Sequence, residues 1–199
     1  MEHKLSTMFC QYLVHNGIIT NEYYDVYVYG MELLLSFLLS TILIILIGLL
    51  TDNLIPTINY LIIFITLRNF TGGYHASTYL RCKLASIFIY TLTLLATKHI
   101  PVDMKGYLAL GIIGYLIIYY LAPIENPNKP LTFHERKKHK ITSLILFSVF
   151  IGISFIMSIL NVESNIIFYT LLSVIILMII SPHRKKGGYG REEDHQVHC

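Results

Sequence analysis

Leu33-Leu-Leu-Ser-Phe-Leu-Leu-Ser-Thr-Ile-Leu-Ile-Ile-Leu-Ile-Gly-Leu-Leu50 is a run of 18 residues without a single charge. As a helix it is about 27 Å long, close to the roughly 30 Å of hydrocarbon in a bilayer. A soluble domain would have to bury such a run on every side. With only 14% charged residues, 54% hydrophobic residues and a mean hydropathy of +0.60, the rest of the chain has too little polar surface to do so. The stretch therefore reads as a membrane span and the protein as an integral membrane protein.

Five further apolar stretches follow: Leu54 to Leu67, Leu84 to Thr97, Met104 to Ala122, Ile141 to Leu160, and Ser164 to Ser181. The expected architecture is all-α: a polytopic membrane protein with about six transmembrane or re-entrant helices, forming one domain over residues 1–199. The second and third stretches have only 14 residues each, about 21 Å as helix. They are expected to thin the bilayer or re-enter it. An even number of spans puts both termini on one side, and thirteen of the fifteen Lys and Arg residues then fall on that side, leaving only Lys98 and Lys105 opposite. By the positive-inside rule, the termini and the loops 68–83 and 123–140 are cytoplasmic.

In the N-terminal segment 1–30, Leu5, Met8, Phe9, Tyr12 and Leu13 recur at helical spacing against Lys4, Ser6, Thr7, Gln11 and His15. This is an amphipathic helix, which either packs on the bundle or lies in the inner interface and gathers a membrane-bound substrate. Tyr23, Tyr24, Tyr27 and Tyr29 suit the headgroup level as anchors. The first 30 residues lack the apolar core of a cleavable signal peptide, so the amino terminus is expected to be retained. Residues 183–199 read as a mobile cytoplasmic tail.

Several classes of function are excluded. Three widely spread cysteines, Cys10, Cys82 and Cys199, do not make a disulfide scaffold. A net charge of +3 is too small to argue for nucleic acid. No glycine loop with a Lys-Ser/Thr cradle for phosphate occurs. His134 and His139, flanking Glu135, are five residues apart and so about 140° apart on a helix, which rejects a zinc-protease site.

Chemistry concentrates in Arg68-Asn-Phe-Thr-Gly-Gly-Tyr-His-Ala-Ser-Thr-Tyr-Leu-Arg-Cys-Lys83. A thiolate is the nucleophilic form of cysteine, and a histidine base with nearby cations raises its population. A continuous helix would hold His75 and Cys82 about 10 Å apart along its axis, too far for proton transfer. Contact requires a turn between them, or His75 on a loop that folds over the start of the helix bearing Cys82, and Gly72 and Gly73 supply the freedom. The alternatives are an interfacial histidine, a small apolar cysteine and a plain interspan turn. A zinc site lacks a third ligand, and Asn69 is the only nearby candidate for a third catalytic member.

In combination, Arg68, Gly72, Gly73, His75, Ala76, Cys82 and Ser86 resemble the accessory gene regulator protein B (AgrB) family of membrane cysteine endopeptidases, which process quorum-sensing propeptides in Gram-positive bacteria. Ala122-Pro123 to Pro130 also matches that pattern. The resemblance implies Cys82 as nucleophile and His75 as general base. It gives Arg68 an orienting or charge-stabilising role, makes Gly73 a backbone requirement with Gly72 as a supporting residue, and lets the Ser86 hydroxyl orient a partner. Backbone amides near Gly72-Gly73 would hold the oxyanion. The implied reaction removes the C-terminal segment of a propeptide through an acyl-enzyme thioester and closes a thiolactone ring, with no metal or cofactor. The partners are a membrane-anchored AgrD-like propeptide and the lipid bilayer, without nucleic acid, and a small bundle is compatible with homo-oligomers. Lys129, Lys137 and Lys138 either draw an acidic propeptide tail or bind anionic lipid and fix topology. The rival reading is a non-enzymatic peptide exporter or interaction protein.

Overall fold

All six apolar stretches fold as helices in the computed structural model, which describes residues 2–72, 79–124, 131–160, 162 and 165–181. Among those residues the order is α1 (Glu2–His15), a 3-10 turn (Asn21–Tyr23), α2 (Tyr24–Leu50), α3 (Leu54–Thr71), α4 (Tyr79–His99), α5 (Met104–Leu121), α6 (Phe133–Ile159) and α7 (Asn165–Ile180). Five of them, α2 to α6, are long and apolar enough to cross a membrane, and α7 has 16 residues. The chain is therefore a multi-pass membrane protein.

Four of the helices, α2, α3, α4 and α6, outrun the apolar stretches that announced them. α3 has 18 residues and α4 has 21, against 14 expected for each. Hydropathy breaks at Arg68 and Lys83, but the backbone pattern continues through both, because Arg and Lys are good helix formers whose charge does not interrupt the hydrogen-bond ladder. Neither helix is short for a crossing. α2 and α6 each have 27 residues, about 40 Å, so both project some 10 Å beyond the hydrocarbon. Tyr24, Tyr27 and Tyr29 accordingly lie within α2.

α7 is the axis of the bundle. It carries no charge, and Ile166, Ile167, Phe168, Thr170, Leu171, Val174, Ile175, Leu177 and Met178 are all buried. It packs against α3, α4, α5 and α6, while α2 packs on α3 and α4 from outside. Large side chains on the outer faces, such as Ile42, Leu92, Ile112 and Ile145, stay exposed, as expected where the surrounding solvent is hydrocarbon. Because lipid tails give helices no hydrophobic reason to pair, small residues make the close contacts. Gly114 admits Phe147 and Ile175, and Gly48 admits Thr57, whose Cβ would lie 2.7 Å from any Cβ built there.

α1 packs on the N-terminal part of α2 through His3, Ser6 and Cys10, with Leu13 and Val14 beyond. His3 Nδ1 and Glu32 Oε1 are 2.5 Å apart, and the Tyr24 hydroxyl donates to the Thr7 carbonyl at 3.4 Å. The helix thus packs on the bundle, but not by its apolar face: Leu5, Met8, Phe9 and Tyr12 are exposed.

The two ends of the bundle differ in charge. α1, the start of α4 and the start of α6 share one end with Arg68. Eight of the ten described Lys and Arg residues lie there, against Lys98 and Lys105 at the other. That other end is tied by the Tyr169 hydroxyl donating to the Ile100 carbonyl at 3.1 Å and by the Tyr107 hydroxyl donating to Asn165 Oδ1 at 3.1 Å.

The α2–α3 contact sets a test. Gly48→Ala should cost about 1–3 kcal/mol by pushing the two helices apart at Thr57. Gly152→Ala, whose new Cβ meets nothing within 4 Å beyond its own helix backbone, should hold stability or raise it by up to about 1 kcal/mol. Thermal unfolding in detergent, followed by gel filtration of the surviving monodisperse fraction, measures both.

Candidate active site

Gly72 ends α3 with φ +69° and ψ −153°, a conformation closed to residues with a Cβ. Its N–H donates to the Arg68 carbonyl at 2.9 Å. That amide caps the helix, and the Gly73 amide, the other one expected to hold the oxyanion, lies outside the described residues. A parallel bridge pairs Gly72 with Ile124, whose N–H donates to the Thr71 carbonyl at 2.9 Å. A side chain at Gly72 would collide with the Ile124 carbonyl. The glycine is needed for a close backbone approach as well as for a turn.

Arg68 occupies the last turn of α3, and Cys82 follows closely after the start of α4. The two helices approach across a water-sized crevice of about 20 Å³. Phe64 and Arg68 line one wall, Cys82, Ala85, Ser86 and Ile89 the other, and Leu177 of α7 closes it. The Arg68 guanidinium lies over the Phe64 ring, 5.6 Å from its centroid, and its Nη1 is shut off from solvent. Cys82, a free, half-buried thiol, lines the same crevice.

Ser86 lies one turn after Cys82, and its hydroxyl donates to the Cys82 carbonyl at 3.0 Å. This back-bond fixes the turn that carries the sulfur. Asn69 points outward and is exposed. Gly73, His75, Lys129 and the tail with Cys199 lie outside the described residues. The crevice thus brings Arg68, Cys82 and Ser86 together, while Gly72 caps the helix that carries Arg68. Phe64, Ala85, Ile89 and Leu177 join them in the crevice and Ile124 meets Gly72, none of them singled out by sequence reasoning. Only the spacing of Phe64, four residues before Arg68, signalled any of them.

The start of α6 lies beside the end of α3, with the Phe70 and His139 rings edge to face at 5.4 Å. A capping box holds it: the Glu135 N–H donates to Thr132 Oγ1 at 3.3 Å, and the Thr132 N–H donates to Glu135 Oε2 at 2.9 Å. Lys137 and Lys138 are exposed on this turn, and Lys140 sits over the Tyr119 ring at 4.2 Å. Among the described residues, no three His, Cys, Asp or Glu side chains gather as a metal site would need.

Residues 6–181 match the profile of the family described as accessory gene regulator B. An AgrB-like protein of Listeria monocytogenes is 25% identical over 171 residues, covering 84% of this chain and 83% of the relative. An AgrB-like protein of Clostridium perfringens is 25% identical over 168 residues, with 80% and 77% covered. The accessory gene regulator protein B of Staphylococcus carnosus is 23% identical over 126 residues, with 63% and 66% covered. No solved structure matches the chain.

The two described cysteines should differ in reactivity. Cys10 is fully buried between α1 and α2, and burial pushes its thiol above the ordinary range. At pH 7 to 8 its thiolate is therefore scarce, and its reactivity rises only as the pH climbs past that range. Maleimide labelling in detergent, read by peptide mass spectrometry, should find Cys82 modified at least about tenfold faster than Cys10.

Proposed function

Since the chain belongs to the accessory gene regulator B family, we propose that it is a membrane cysteine endopeptidase that processes an AgrD-like propeptide in quorum sensing. The observation that carries this reading is the free Cys82 thiol lining one crevice with the Arg68 guanidinium, at the end of the bundle where the cations collect. A cationic, partly enclosed setting is what a reactive cysteine requires.

In the proposed reaction, the Cys82 thiolate attacks the scissile carbonyl of the propeptide. His75 takes the thiol proton and passes it to the leaving amine, so the C-terminal segment departs and an acyl-enzyme thioester remains. A cysteine thiol within the retained peptide then attacks the thioester. One thioester replaces another at little energetic cost, the ring closes as a thiolactone and Cys82 regains its proton. Water must stay out meanwhile, and the apolar walls given by Phe64, Ile89 and Leu177 favour that. Arg68, which lines the crevice with Cys82, is assigned to balance negative charge on the sulfur or on the tetrahedral oxyanion.

This end of the bundle is taken as cytoplasmic, where thiols stay reduced. Lys137 and Lys138, with Lys129, would then meet either the acidic part of a propeptide or anionic headgroups. Charge reversal separates the two. If Lys137→Glu with Lys138→Glu leaves processing intact in a correctly inserted protein, these lysines serve the lipid and topology.

The decisive test is co-expression with the propeptide and mass spectrometry of the products. Cys82→Ala should abolish cleavage and His75→Ala should slow it about 10²- to 10⁴-fold, while Cys10→Ala and Cys199→Ala should leave it near the parent level. Cleavage that survives both of the first two variants would turn the reading toward an exporter.

A further inference from the structure

We propose that Phe64, seated on Tyr60, is a positioning residue that holds the Arg68 guanidinium in the crevice it shares with Cys82. The inference rests on the reading of Cys82 as the reacting thiol.

Tyr60, Phe64 and Arg68 follow one another at four-residue spacing and share a face of α3. Long side chains on a helix lean toward its N-terminus, so each covers the turn before it. The guanidinium therefore lies over the Phe64 ring at 5.6 Å, and that ring stacks on Tyr60 at 5.1 Å with 17° between planes. Tyr60 is only 1% exposed and tilts against Tyr90 of α4 at 5.1 Å. The Tyr90 hydroxyl and Thr57 Oγ1 are 2.6 Å apart, and Thr57 is wedged against Gly48 of α2. The column that ends at Arg68 is thus rooted in three helices.

Arg68 needs such a restraint because of where it stands. In the last turn of a membrane helix, a long cationic side chain tends to snorkel toward the interface. That movement would carry the charge away from Cys82, which shares the crevice with Phe64 itself. An aromatic face offsets the tendency by a cation–π attraction that strengthens when the pair is shielded from water. An aliphatic side chain of similar size fills the space and supplies no such attraction.

The test reads charge at Cys82 without using the propeptide. The full-length protein in detergent is alkylated at fixed pH with iodoacetate, an anion, and with iodoacetamide, its neutral counterpart. The ratio of the two rates at Cys82 is taken from peptide mass spectrometry. Arg68→Gln should lower the ratio about fivefold, the size of one screened charge contact. Phe64→Leu should lower it nearly as far, Phe64→Tyr should keep the parent value, and Phe64→Leu combined with Arg68→Gln should fall no lower than Arg68→Gln alone. Phe64→Met, which also loses the ring, is the second variant should Phe64→Leu fail to fold.

A parent-like ratio in both Phe64→Leu and Phe64→Met, a proportional change in both rates, or an additive double variant overturns the positioning role. A parent-like ratio in Arg68→Gln overturns the pairing of Arg68 with Cys82. Neither result touches the endopeptidase reading, which fails instead if propeptide cleavage survives both Cys82→Ala and His75→Ala.

Discussion

Seating a charge that cannot be discharged inside an apolar bundle is the constraint around which this end of the molecule is organised. A guanidinium stays protonated in proteins, and hydrocarbon penalises it by several kcal/mol. α3 places Arg68 in its last turn, leans it on an aromatic ring and faces it toward the one thiol of α4. α7, which carries no charge, completes the enclosure through Leu177. Most other described cations of this end, among them Lys4, Arg81, Lys137 and Lys138, lie on exposed turns. Arg68 and Arg136 each turn a nitrogen to the interior, and of the two only Arg68 lines the crevice with Cys82.

The bundle also shows how helix packing changes when the solvent is lipid. In water an amphipathic helix turns its apolar stripe inward; α1 does the reverse, burying Ser6 and Cys10 and leaving Leu5, Met8, Phe9 and Tyr12 outside. Small side chains let backbones approach, and the apolar stripe loses nothing by facing hydrocarbon. The same logic places Gly48 against Thr57 and Gly114 against Phe147. Buried hydroxyls such as Thr170 and Thr57 meet their needs within their own helices, donating to the carbonyls of Ile166 and Asn53.

Much of this was legible in the sequence. Uncharged runs of about one membrane thickness announced the helices, and the distribution of lysine and arginine separated the two ends. Helix ends were less legible, because hydropathy stops at Arg68 and Lys83 while the backbone does not. The inward face of α1 was missed because a soluble-protein rule was applied to a lipid-facing helix. At the site, Arg68, Cys82 and Ser86 carried recognisable chemistry, but Phe64 and Tyr60 sit in a helix so apolar that periodicity separates no face. Gly72 was expected to lend flexibility, whereas its contact partner, Ile124, is supplied by a connection 52 residues away, which no local pattern reveals.

That contact joins two interspan connections into one mechanical unit. The segment leading toward His75 leaves α3 at a glycine pinned to the backbone just beyond α5, so the two connections have to be inherited and exchanged together. A hybrid built from two relatives would inherit a working strut only when residues 71–72 and 122–124 come from the same parent.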